Sequence, residues 1–136
     1  MDELYAVLLS WATTLSGYPT PGVPAEIVAV SHEVLVQRAC GGRECKVLGW
    51  FPPGQRIYVD ERLGPADDLV AASIVVHEMV HYLQYRSGAF DSFDCAKSIE
   101  LEREAYAIQR EFLLRYGVYR PVGVNSHRCC ARLASL

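Results

Sequence analysis

The chain has 136 residues, 51% of them apolar, with 13 Lys and Arg against 16 Asp and Glu and a formal net charge of −3. That length suits one domain over residues 1–136 with one core, and the balanced charge, without a run of five like charges, excludes a basic nucleic-acid surface or a polybasic membrane patch. No stretch reaches the roughly 18 continuous apolar residues of a spanning helix, and the acidic start MDELYAVLLSWATTL has neither the basic flank nor the cleavage site of a signal peptide.

In chain order, DELYAVLLSWATTLSG predicts a first helix. Leu4, Val7, Leu8 and Trp11 recur at helical spacing, and Gly17 is a stop signal. The proline-rich YPTPGVP predicts an extended connector. EIVAVS is a short β-rich run and a predicted strand. HEVLVQRA alternates partly like a strand, yet Ser31 could cap a short helix there; helix is the favoured reading, and Cys-Gly-Gly then turns the chain. KVLGWF and QRIYVD flank Pro-Pro-Gly, which predicts an antiparallel hairpin. The segment GPADDLVAASIVVHEMVHYLQYRSG predicts the main helix, with Pro65 in its first turn, Asp67 and Asp68 at its positive end and Gly88 as its stop. Val70, Ile74, His77, Val80, His81 and Gln84 share one broad face. Val75, Val76, Met79 and Leu83 make much of the remaining circumference apolar, so burial on most sides is expected. After the loop FDSFDC, AKSIELEREAYAIQREFLLRYG predicts a last long helix with Leu101, Ala105, Ile108 and Phe112 as its core stripe. The fold class is α+β: a first helix, a small twisted sheet with a hairpin that covers the main helix, and the two long helices packed together.

The main helix raises a chemical question, because it places two imidazoles and a carboxylate among apolar residues. His77 and His81 are one turn apart and share a face, so their ring nitrogens can converge on one ion. Imidazole suits zinc, which tolerates a tetrahedral set with one position left for water. Glu78 points about 100° round the helix from His77, within reach of such a water without being a ligand. The pattern is HExxH, filled as His77-Glu78-Met79-Val80-His81, and its mechanical reading is two metal ligands and a general base. The bland alternative is two hydrogen-bonded core histidines. Against it stands the apolar helix, where an unpartnered buried Glu78 would cost several kcal/mol. The next helix offers a third ligand in IELEREAY: Glu100, Glu102 or Glu104.

HEMVH followed by Glu102-Arg103-Glu104-Ala105 resembles the gluzincin metallopeptidases, small members of the zincin clan, and is similar to bacterial extracytoplasmic zincin-like domains. The resemblance implies a zincin-like fold whose sheet edge pairs with an extended peptide or protein substrate. It also implies one zinc per chain on His77, His81 and a glutamate, with Glu78 activating the metal-bound water for peptide-bond hydrolysis. Glu102 fits the Glu-x-x-Ala form, in which the alanine lets the helices approach, and it lies nearer the buried stripe, beside Gln109. The family form often continues with aspartate, where this chain has Tyr106. Glu100 follows His81 after 18 residues, a spacer used by one large gluzincin group, and Glu104 lies one turn further on. Glu102 is therefore the favoured ligand, with Glu104 and Glu100 as alternatives. Tyr106, Tyr82, Tyr85 and His127 are candidate donors to a tetrahedral oxyanion, although tyrosine is more often a packing residue. Gln84 and Gln109 read equally well as partners of the site or as core polar contacts, and His32 reads as a surface histidine. A non-catalytic binding or regulatory module held by a structural metal is the competing function.

Five cysteines, Cys40, Cys45, Cys95, Cys129 and Cys130, are many for a cytosolic domain of this size. Disulfides would place the chain in the periplasm or outside the cell, whereas free thiols or a second metal would be compatible with the cytoplasm. Cys40 and Cys45 flank a Gly-Gly turn and are expected to pair. Cys95, beside the last helix, is the expected partner of Cys129 or Cys130, which would leave one cysteine free.

Overall fold

The computed structural model describes residues 2–90 and 95–124, and the backbone of 134–135. Helix α1 covers Asp2–Ser16, strand β1 Glu26–Val30, helix α2 His32–Ala39, and strands β2 and β3 Gly49–Trp50 and Arg56–Asp60. The long helices α3 and α4 are Leu69–Arg86 and Cys95–Arg115, and β4 is Ala134–Ser135. The architecture is α+β, with four helices and a small mixed sheet.

The sheet is ordered β1-β3-β2-β4. The expected hairpin forms, with β2 antiparallel to β3 and Trp50 opposite Tyr58. Their rings stack across the strands at 5.7 Å, a pairing that helps hold the register. Only Gly49 and Trp50 of KVLGWF are in the strand. Strand β1 runs parallel to β3, from Glu26 opposite Arg56 to Val30 opposite Asp60. A parallel partner needs a crossover. Helix α2 lies in it, with Ser31 accepting from the Val34 amide at its N-cap. Alternation along β3 then divides the sheet's faces. Ile57 and Val59 join the main core with α1, α3 and α4, while Tyr58 packs against the smaller cluster of Leu35, Val36, Ala39 and Val47.

Helix α3 is the centre of the molecule. It packs against α1, α4, β2 and β3, and every residue from Ala71 to Gln84 is buried. It starts later than the sequence suggests. Asp68, rather than Pro65, begins it, because the Asp68 side chain accepts the free Val70 amide at 2.8 Å. Pro65 and Asp67 lie in the turns before. Val7, expected on the core stripe of α1, is half exposed, and Ala12 takes its place beside Leu8. Ala105 on α4 is fully buried and lets that helix lie close to α3.

Candidate metal centre

The crossing of α3 and α4 sets three ligand atoms around one point. The Nε2 atoms of His77 and His81 are 3.2 Å apart. Oε1 of Glu102 lies 3.1 Å from the first and 2.5 Å from the second. Zinc–nitrogen bonds of about 2.0–2.1 Å imply ligand–ligand edges of about 3.3 Å in a tetrahedron. Two of the three edges match that spacing and the third is shorter, so the set fits a small divalent ion. Among the described residues this is the one His/Cys/Asp/Glu group able to hold a metal. Both histidines are fully buried, while the Glu102 side chain keeps 14% of its surface exposed and forms the solvent side of the site.

The electrostatics are those of a tightly coupled acid–imidazole group. Burial pushes the Glu102 carboxyl upward, but hydrogen bonds and charge from both histidines outweigh it and bring the pKa to about 2. Burial pushes His81 down, while Glu102 and then Glu78 push it up, and the net movement is upward. Both partners report one preference, for positive charge between imidazole and carboxylate.

Glu78 is fully buried on the sheet side of α3. Gly49 of β2 lies directly against it: a Cβ added there would stand 3.1 Å from Glu78 Cγ and 3.3 Å from its Oε2. Sequence reading passed over Gly49; a lone glycine within a β-rich run is the signal that could have marked this close approach. Tyr106 packs edge-on against His77, with ring centroids 4.4 Å apart. Burial, and the charges of Glu102 and Glu78, raise its phenol pKa, which places the ring in the field of both carboxylates. Gly123, in the left-handed region at φ +72°, lies so close to that ring that a Cβ would come within 2.1 Å of Tyr106 Cγ. The carbonyl of Val122 beside it accepts from Arg110 Nη1 at 2.7 Å. No sequence pattern pointed to Gly123.

The remaining candidates have other partners. Glu104 accepts from the Tyr18 hydroxyl at 2.6 Å and from Gln84 Nε2 at 2.9 Å. Glu100 is exposed and pairs loosely with Lys97. Neither lies with the two histidines; the group that could hold a metal has Glu102. The Tyr82 hydroxyl donates to the carbonyl of Val23, so it is not a free oxyanion donor. Tyr85 stacks edge-on against Phe51 and Phe90. His32 is no ordinary surface residue: it lies between Glu44, at 3.0 Å, and the buried Asp60, at 3.2 Å. Gln84 and Gln109 both reach the site, at the Nδ1 atoms of His81 and His77 respectively. His127 lies outside the described residues.

Cys40 and Cys45 form a disulfide with Cα atoms 6.6 Å apart, closing the loop after α2. Cys95 is the first residue of α4 rather than a residue before it, and it too is disulfide-bonded. Cys129 and Cys130 lie outside the described residues. No helix among the described residues is long and apolar enough to cross a membrane. No protein-family model matches the chain, and neither a curated protein nor a solved structure matches it.

Proposed function

We propose that the chain is a zinc-dependent peptidase of the gluzincin-like kind, with one zinc held by His77, His81 and Glu102 and with Glu78 as general base. The observation that carries this reading is the convergence of three ligand atoms, all within 4.8 Å of one another, next to a fully buried glutamate that is not one of them. Two imidazoles and one carboxylate are a donor set suited to catalytic zinc with a position left over. When bound, zinc would supply a water acidified to near neutrality and a Lewis acid for the scissile carbonyl. Glu78 takes the proton of the attacking water and returns it to the leaving amine. Its low-dielectric surroundings strengthen every interaction with that proton. Tyr106, beside His77, is the oxyanion donor of this reading. The Cys40–Cys45 disulfide is compatible with an oxidising compartment, and we place the protein outside the cytosol on that ground.

The burial of both histidines and Glu78 supports a second reading, a binding module in which the metal is structural. One experiment separates the two. Zinc-loaded protein and its Glu78→Gln variant are incubated with a broad peptide library, and zinc content is measured in both. The peptidase reading expects equal zinc and cleavage by the wild type alone. Equal zinc without cleavage by either assigns the structural role, and an absence of zinc uptake by the wild type rejects the metal site.

A further inference from the structure

We infer that Gln84 and Gln109 are positioning residues that lock His81 and His77 as Nδ1–H tautomers, leaving two bare Nε2 lone pairs aimed at Glu102. The inference rests on the metal-site reading and extends it to residues that would touch no ion. Its starting points are two backbone carbonyls, which only accept hydrogen bonds.

The first chain of bonds begins at Val70. Its carbonyl accepts from the Ser73 hydroxyl at 2.6 Å, which commits the only hydrogen Ser73 has. Ser73 Oγ must then accept from Gln109, and it does so from Nε2 at 3.1 Å. The Gln109 amide is thereby fixed with Oε1 towards His77 Nδ1, 3.0 Å away. An amide oxygen only accepts, so Nδ1 carries the proton. The second chain begins at Leu101. Its carbonyl and the Glu104 carboxylate accept both hydrogens of Gln84 Nε2, at 3.0 and 2.9 Å. Oε1 of Gln84 then faces His81 Nδ1 at 2.8 Å, and that nitrogen is the donor. Ser73, Gln84 and Gln109 are all at least 97% buried, so water does not offer these amides an alternative orientation.

With both rings neutral, three acceptor atoms, two imidazole nitrogens and one carboxylate oxygen, therefore converge within 2.5–3.2 Å with no donor among them. Such an arrangement calls for a cation. The two glutamines act in the place where metal-binding histidines usually have a carboxylate or a carbonyl as the outer partner. Being neutral, they orient the rings without adding negative charge. Glu104, one of the candidate ligands in the sequence, has a different task, holding the Gln84 amide while Tyr18 holds its own carboxylate.

The test has two readouts. Nitrogen-15 NMR of histidine-labelled, metal-free protein in mildly alkaline buffer reports the tautomers directly. Nδ1–H is expected on both rings, and a neutral ring with its proton on Nε2 instead overturns the inference. Zinc affinity by chelator competition is then compared across variants. Gln84→Met and Gln109→Met should each weaken zinc binding by roughly 10–100-fold. Gln109→Glu keeps an acceptor at His77 Nδ1 and should restore affinity to within a few-fold of wild type. Methionine variants that bind zinc as tightly as wild type overturn the inference and leave the metal site standing. A wild type with both Nδ1–H tautomers that takes up no zinc rejects the metal reading and keeps the lock. Should a methionine variant fail to fold, the tautomer spectrum and Gln109→Glu still decide.

Discussion

Gly49→Ala is the sharpest test of how the sheet meets the candidate site. Gly49 does not have positive φ, so alanine introduces no backbone strain. The whole effect is steric. The new methyl would meet Glu78 Cγ at 3.1 Å, Ile74 Cγ2 at 3.2 Å and Glu78 Oε2 at 3.3 Å. Ordinary contacts between such atoms are about 3.5–4.0 Å, so β2 or the Glu78 side chain must yield by roughly half an ångström. Both neighbours belong to the buried stretch Ala71–Gln84 of α3. Overpacking of this kind costs about 1–3 kcal/mol, which for a chain of this size is a melting-temperature loss of roughly 3–10 °C. Zinc affinity should stay within about three-fold of wild type, because the methyl touches none of His77, His81 and Glu102. Peptidase turnover should fall by about 10–100-fold, since a base displaced by a fraction of an ångström loses its alignment. Urea melts, chelator competition and peptide cleavage on one preparation measure all three. Stability within about 0.5 kcal/mol of wild type, the usual scatter of a neutral surface change, would refute the close strand–helix contact.

Gly123→Ala should be more damaging than Gly17→Ala, although both glycines have similar positive φ. At Gly17 a Cβ meets nothing, so only the left-handed backbone penalty of about 1–2 kcal/mol applies, whereas at Gly123 the Tyr106 ring must also move. Comparative thermal melts check the order, and equal losses would argue against the Gly123–Tyr106 contact. Removing zinc with a chelator should lower the melting temperature. At free zinc 100-fold above Kd the ion contributes about 2.7 kcal/mol, or roughly 8–10 °C, and His81→Ala should abolish the difference. Asp60 and His32 set a pH window for stability. Hydrogen bonds from Arg62 hold the Asp60 carboxyl below its usual range, so its contribution is complete above about pH 4 and lost as pH falls through the lowered folded value. A hydrogen bond to Glu44 raises His32, so that contribution is complete below about pH 6.5 and lost as pH rises through the raised value. Urea melts across pH should show Asp60→Asn flattening the acid limb and His32→Gln the alkaline one, and an unchanged profile in both would refute the interactions with Arg62 and Glu44.

What the sequence revealed of this molecule was mostly local. The His77–His81 spacing, the Ser31 cap and the Pro-Pro-Gly hairpin all depend on residues a few positions apart, and periodicity reads such distances directly. Glu102 was favoured over Glu100 and Glu104 by its angle to Ala105 on one helix, and its carboxylate is the one beside both histidines. Long-range features left little trace. The parallel pairing of β1 with β3 depends on how α2 packs in the crossover, which no hydrophobic pattern encodes. His32 gave no sign of Asp60, because the two meet only once the sheet has formed. The start of α3 was misplaced because Pro65 and Asp68 are both helix-start signals, and only the side-chain bond at Asp68 decides between them.

The candidate ligands and the base draw on different parts of the chain. His77, His81, Glu102, Gln84 and Gln109 all lie on the antiparallel pair α3 and α4, and Glu102 comes only 25 residues after His77. Glu78 sits on the same pair, but the wall that confines it is Gly49, from the sheet. Lesions in the two parts should therefore give different phenotypes. A lesion between the long helices removes both ion and activity. A lesion in the hairpin leaves an ion-loaded protein with a misaligned base, and such a protein would hold zinc while turning over substrate slowly.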